Sequence, residues 1–320
     1  MTSAAASWAP TAPLAARRLR ATVYAEIRAF FAEREVLEVE TPILSRAGNT
    51  DPAIESFVTQ DAGGPWFLRT SPEFPMKRLL VADGIAVYEL GRVFRRGEAG
   101  RWHNPEFTML EWYRPGFDDA ALLDETIALA HRVAAGPGMM VPSVTRLSCD
   151  ELFEGALGLA DGCDASTATL NDALRSRGWY DETLDRRNAF DLLLAFAVRE
   201  RSAPDELLSL HGFPPELAAL ARIEGGRARR FEVYAGGQEL ANGYDELTDA
   251  GELAARFAAE NERRRRARQR QLPRDEHLLA AQAVGLPASA GVALGVDRLL
   301  AWIGGSRSLA DVINFPGGRA

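Results

Sequence analysis

Three groups of residues in this sequence have types and spacings that could do chemistry. The first is a pair of β-prone runs, Tyr88 to Arg95 and Glu106 to Tyr113. Side chains alternate faces along a strand, so Phe107, Met109, Glu111 and Tyr113 share one face while Thr108, Leu110 and Trp112 share the other. A buried face rarely holds an unpaired carboxylate, and three large apolar side chains argue against a solvated one. A ligand-lined cleft fits both facts. Between the runs lie Arg95, Arg96, Arg101, His103 and Asn104. Arginine suits two-pronged phosphate binding; taken alone, the same residues also read as an ordinary exposed basic loop.

The second group runs from Phe231 to Glu246. A tight turn at Gly236-Gly237 would pair Tyr234 with Glu239 and Glu232 with Ala241, making Glu232 and Glu239 diagonal neighbours on one face. Two carboxylates that close repel unless a proton or cation sits between them. Mg²⁺ takes one or two carboxylates together with substrate phosphates. The alternative is a pair of solvated carboxylates on an edge hairpin. The third group is Gly291-Val-Ala-Leu-Gly-Val-Asp-Arg298, leading into an apolar helix. Its glycines allow a ligand close to the backbone. Arg298 opens the helix, where its charge opposes the dipole unless an anion compensates.

The elements that must position these groups follow from periodicity. Leu14 to Glu33 is an amphipathic helix, Val36 to Val39 a short strand, Pro65 to Thr70 a strand and Pro75 to Ala82 a short helix. Ile85 to Arg95 and Glu106 to Tyr113 form an antiparallel hairpin with a long tip, and Asp118 to Ala135 is helical. Residues 137–225 read as a mostly helical connector. Strand character returns over Phe231 to Leu247, followed by a long helix over Ala250 to Arg270 and a strand-to-helix unit over Ser289 to Trp302. The fold class is α+β, an antiparallel sheet flanked by helices. Residues 1–13 read as a flexible tail and 14–320 as one domain.

Composition narrows the function classes. A chain of 320 residues, 47% of them hydrophobic, can bury a large core. A net charge of −8 gives no general attraction to nucleic-acid backbones. Cys149 and Cys163 read as idle thiols of a reducing cytoplasm. No apolar run approaches the ~20 residues of a membrane span. His131, His211 and His277 belong to no constellation, and Arg263 to Arg266 reads as a solvated helix face. Lys77 is the only lysine; every other basic residue is arginine.

Together the segments resemble the class II aminoacyl-tRNA synthetases. Val36-Leu-Glu-Val-Glu-Thr-Pro42 is similar to motif 1, Phe94-Arg95 through His103-Asn-Pro-Glu-Phe107 to motif 2, and Gly291 to Arg298 to motif 3. Ser71-Pro-Glu73, Met76-Lys-Arg-Leu79, His103 to Glu111, Glu239-Leu-Ala-Asn-Gly243 and Glu246-Leu-Thr-Asp249 place the likeness in the lysyl subgroup. The motif 1 helix begins near residue 14, leaving no room for an anticodon-binding OB domain before it. The chain thus resembles the truncated paralogues that ligate lysine to elongation factor P. Gly97 stands where motif 2 usually has glutamate, with Glu98 one place later; Tyr244 replaces a usual phenylalanine; Phe213 to Leu217 departs from the usual run.

The resemblance implies activation of (R)-β-lysine or lysine by ATP, with Mg²⁺, to an aminoacyl-adenylate. The acyl group then passes to a lysine of elongation factor P. It implies a cytoplasmic homodimer joined at motif 1; the missing anticodon domain and acidic charge argue against tRNA as acceptor. Arg95 and Arg298 would be catalytic. ATP would meet Arg95, Arg96, Gly97, His103, Asn104, Phe107, Glu239, Leu240, Gly295 and Arg298. The amino acid would meet Ser71, Pro72, Glu73, Tyr113, Glu246 and Ala293, and the metal Glu232 and Glu239. Ala293 replaces a usual glycine, and its methyl would help favour a β-amino acid. Two alternatives are a lysine-activating enzyme with another acceptor and a non-catalytic synthetase-like regulator.

Overall fold

The amphipathic N-terminal run forms α1 (Leu14–Ala32), with Val23, Ile27, Phe30 and Phe31 buried along one stripe. Each such side chain contributes roughly 1.5–3 kcal/mol by leaving water. A computed structural model describes residues 8–136 and 141–320. Beyond α1 come β1 (Leu37–Glu38), β2 (Leu44–Ser45), β3 (Val58–Asp61), β4 (Gly64–Leu68) and α2 (Glu73–Asp83). The hairpin strands are β5 (Val87–Phe94) and β6 (Glu106–Pro115), and α3 (Asp119–Ala135) follows, its first turn capped by Asp118 accepting from the Ala121 amide at 2.9 Å.

The middle segment holds β7 (Ser143–Ser148), α4 (Cys149–Leu157), α5 (Thr167–Ser176), α6 (Arg186–Arg201), β8 (Glu206–Phe213) and β9 (Ile223–Glu224). The chain then returns through β10 (Arg227–Ala235), β11 (Gln238–Asp245), α7 (Ala250–Arg266), α8 (Glu276–Gly285), β12 (Ser289–Gly295) and α9 (Val296–Ile303). The main sheet runs β1-β5-β6-β12-β11-β10-β8-β7, with β9 paired to β10; β2-β4-β3 form a small second sheet.

The centre of the main sheet is antiparallel as expected, but its outer pairs β1–β5 and β7–β8 are parallel. Residues 137–225 are therefore more than a helical connector. Their first residues, 137–140, lie outside the described residues, but β7 and β8 widen the sheet. The helices α4, α5 and α6 close over β8 with an apolar core that includes Phe153, Leu170, Phe190 and Leu193. β8 is buried on both faces over Glu206–Leu210, so it lacks the alternation that marks a half-buried strand. The expected tail falls outside the described residues through residue 7. From Thr11 the chain is tied down, its amide donating to the Asn314 carbonyl at 2.9 Å and Ala12 buried.

The even face of β6 builds the core: Thr108, Leu110 and Trp112 are buried. Phe31 stacks on Tyr88 with ring centroids 4.4 Å apart and meets Trp112 edge-on. Arg20 of α1 pairs with Asp297 of α9, which also accepts from the Thr108 amide at 2.6 Å. That link locks the first helix, the central strand and the final helix together beneath the opposite, concave face.

Candidate active site

The floor of a cleft of about 300 Å³ is laid by β6, β12 and β11. Phe107, Met109, Glu111 and Tyr113 all line it, as strand alternation requires. In register across from them lie Gly295 against Met109, Ala293 against Glu111 and Gly291 against Tyr113. On the other side of β12, Ala293 pairs with Asn242 and Gly291 with Tyr244. The glycine at 291 is required: a Cβ there would sit 2.2 Å from the Tyr113 ring and 2.5 Å from Glu246 Oε1.

One end of the cleft is cationic. Arg95 lies with its guanidinium carbon 5.2 Å from the Phe107 ring centroid. Arg298 donates to the Glu239 carbonyl at 2.9 Å and lies 2.9 Å from His103 Nε2. Partial burial and the Arg298 charge hold His103 below its ordinary pKa, so its ring is neutral near pH 7. Asn104 accepts from the Gly317 amide at 2.9 Å and bonds the Glu106 carbonyl, which pins the returning arm of the loop. Glu98, one place late in the sequence, still reaches the cleft. Gly97 has φ +86°, a left-handed turn that brings Glu98 into the cleft lining, 3.5 Å from Arg95.

The other end is acidic and buried. Glu111 accepts from Ser71 Oγ at 2.6 Å and from the Tyr113 hydroxyl at 2.7 Å. Burial, then the charge of Glu73, pushes its carboxyl up to about 7. Burial pushes Glu246 up to about 8 despite Lys77 beside it. Burial opposes the charge of Lys77, but Glu246 and Glu73 outweigh it and hold the ammonium. This lysine is the main element the sequence reading missed. The i,i+4 spacing of Glu73 and Lys77 on α2 was the available signal. Asn242 was also missed; it lines the cleft, and its buried Oδ1 has no partner.

Four expected residues stand apart from the lining. Pro72 is buried as the residue before α2 and is not among the lining residues. Arg96 and Gly97 are exposed; Arg96 contributes only its amide, donated to the Glu55 carbonyl at 2.7 Å. Glu232 is outside the lining. A bulge between Val233 and Tyr234 shifts the register, so Glu232 faces Asn242 rather than Ala241. Its two oxygens take hydrogen bonds from Arg230 and Tyr234. Burial pushes this carboxyl up to about 7, with Arg230 pulling down and Glu239 pushing up. Glu239 does line the cleft. Among the described residues no group of three or more His, Cys, Asp or Glu side chains converges on a metal site. The donor types fit a cation that also takes phosphate oxygens: Glu239 and the unpartnered Asn242 Oδ1 from the lining, with Glu232 across the strand pair from Asn242.

Arg264 corrects a further expectation. Arg265 and Arg266 are exposed and pair with Glu262, but Arg264 is fully buried. It donates to the carbonyls of Thr50, Asp51 and Ile54 at 2.8–2.9 Å and pairs with Glu55 at 2.7 Å. It thereby holds the loop whose Asn49, Asp51 and Ile54 close one side of the cleft.

The pattern of class II tRNA synthetases of the D, K and N group matches residues 13–319. The chain belongs to this family. Among curated relatives, "Elongation factor P--(R)-beta-lysine ligase" of Yersinia enterocolitica is 44% identical over 99% of this chain and 100% of its own. The proteins of that name from Vibrio cholerae and Edwardsiella ictaluri are each 42% identical, over 98% of this chain and 98% and 99% of their own. The family's α+β catalytic core is the sheet and helices described above. No helix among the described residues is long and apolar enough to cross a membrane.

Proposed function

We propose that this protein uses ATP to activate (R)-β-lysine, or lysine, as an aminoacyl-adenylate and transfers the acyl group to a lysine side chain of elongation factor P. The observation that carries this reading is the polarity of one cleft: arginines and an aromatic ring at one end, and at the other the buried carboxyl groups of Glu111 and Glu246 with the half-buried Glu73. A nucleoside triphosphate suits the first and a diamino acid the second.

On this reading Arg95 holds the α-phosphate, with Phe107 under the adenine and Arg298 over it, reaching the γ-phosphate. His103, Asn104, Leu240 and Gly295 complete the ATP contacts. Ser71, Glu73, Tyr113 and Glu246 take the amino acid's ammonium groups. The carboxylate of the amino acid attacks the α-phosphorus and pyrophosphate leaves. Arg95 stabilises the charge that grows on the phosphoryl oxygens, so no protein nucleophile is needed. The acceptor's neutral amine then attacks the acyl carbonyl, AMP leaves, and the amine loses a proton as the amide forms. A Mg²⁺ ion held by Glu239, with Glu232 supporting it, would supply further neutralisation of phosphate charge.

The same reading includes a cytoplasmic homodimer, supported by exposed Leu37, Ile43 and Leu44 along and just after motif 1. The deciding experiment is diamino-acid-dependent ATP–pyrophosphate exchange, followed by labelling of purified elongation factor P. Exchange with β-lysine above α-lysine, and a labelled acceptor, is expected. Folded protein without exchange refutes the reading. Ala293→Gly should narrow the preference between β- and α-lysine; an unchanged ratio of kcat/KM values sinks the role given to that methyl.

A further inference from the structure

Lys77 has no part in the mechanism above, yet it is the buried cation at the amine end of the cleft. It lies on α2 one turn after Glu73 and is 2% exposed. Its Nζ is 2.6 Å from Glu73 Oε1 and 2.5 Å from Glu246 Oε2. Both carboxylates line the cleft and Lys77 does not, so the ammonium grips them from behind. It takes one oxygen of each, leaving Glu73 Oε2 and Glu246 Oε1 for a ligand. A side chain of the α2 helix is thereby joined to one just past the end of β11.

The charges around it can be counted. Glu73 from α2, Glu111 from β6 and Glu246 after β11 face the pocket, with the hydroxyls of Tyr113 and Tyr244 among them. With all three carboxyls ionised, as a bound diammonium ligand would hold them, three carboxylates and one ammonium leave two negative charges. The two ammonium groups of a diamino acid neutralise them. Without Lys77, Glu73 and Glu246 would be unbridged like charges, and the ligand's ammonium groups alone would have to hold both ionised.

We propose that Lys77 is a positioning residue of the amine pocket: it bridges Glu73 and Glu246 from behind, sets the gap between them, and leaves the pocket a net charge matched to a diammonium substrate. This rests on the reading of the chain as a diamino-acid-activating enzyme. The lysine touches neither ATP nor the reacting carboxylate, so its effect falls on amino-acid binding rather than on the phosphoryl step.

The test is ATP–pyrophosphate exchange on the full chain, with α-lysine, β-lysine and ATP varied in turn, for wild type, Lys77→Met and Lys77→Arg. In Lys77→Met the KM for either diamino acid should rise at least about tenfold, with kcat and the ATP KM within about threefold of wild type. Lys77→Arg keeps the charge but widens the bridge, and should raise the diamino-acid KM by less. A purely structural lysine would not produce that split or that partial rescue. Either variant, folded and with wild-type KM for both diamino acids, overturns the proposal. If Lys77→Met does not fold, Lys77→Arg decides alone by the same criterion. Absence of exchange in the wild type instead overturns the functional reading, and the proposal with it.

Discussion

Gly291→Ala is the sharpest single test of how the amine end is built. The new Cβ would lie 2.2 and 2.4 Å from two carbons of the Tyr113 ring and 2.5 Å from Glu246 Oε1. Ordinary contact begins at 3.4 Å, so the ring would have to retreat by roughly 1 Å. It has nowhere to go. Tyr113 packs with Met76, Leu80, Val87 and Leu286, and its hydroxyl is held by Glu111 at 2.7 Å. Overpacking of this kind costs about 1–3 kcal/mol. The same methyl crowds Glu246, whose carboxylate is fixed by Lys77, so the cost falls on the pocket as well as on the fold. Thermal melting should therefore drop by several degrees. In ATP–pyrophosphate exchange the diamino-acid KM should rise at least about tenfold, a differential of about 1.4 kcal/mol, while the ATP KM stays within about twofold. An alanine variant with wild-type melting and wild-type diamino-acid KM would refute the claim that β12 approaches β6 too closely here for any side chain.

Two further outcomes follow from the buried charges. The carboxyls of Glu111 and Glu246 sit at about 7 and about 8 against an ordinary 4.5, so their protonated forms favour the folded state. Their stabilising contribution is complete below pH 4.5 and is lost as pH rises through 7 and 8. Melting of the free protein should thus fall from about pH 6 to about pH 8.5, and added diamino acid should protect more at the upper end; a flat profile would show that these carboxyls are not held protonated. Arg264→Met should be clearly destabilising, on the order of 1–3 kcal/mol for a buried carbonyl left without its donor, and raise amide exchange over residues 49–55. Melting and exchange at wild-type levels in that variant would show that the loop is held by something else.

The cleft face of β6 was legible because a two-residue period needs no tertiary knowledge, and Glu111 among aromatic neighbours betrayed a ligand surface. Register at the second hairpin was not. The bulge at Val233 and Tyr234 inserts one residue without any glycine to mark it, and this moved Glu232 opposite Asn242. The strand β8 was hidden for the opposite reason: buried on both faces over most of its length, it reads like any apolar run. Arg264 looks identical to its arginine neighbours, since only packing distinguishes a buried guanidinium from the half-buried Arg263 and the exposed Arg265 and Arg266. Glu98 stands one place late in the sequence yet lines the cleft, the chain turning there through the left-handed Gly97, which a one-dimensional reading does not show.

The burial of Lys77 has one more consequence. An acyl-adenylate reacts with primary amines, and any that escapes the cleft meets the enzyme's own surface first. That surface offers no lysine: the single one in the sequence is enclosed, charged and clasped by two carboxylates, and so lacks the free electron pair that acylation needs. A catalyst of lysine acylation built on an arginine-only exterior is shielded from modifying its own lysine side chain. In a reaction mixture, lysine acylation detected by mass spectrometry would therefore report the acceptor alone.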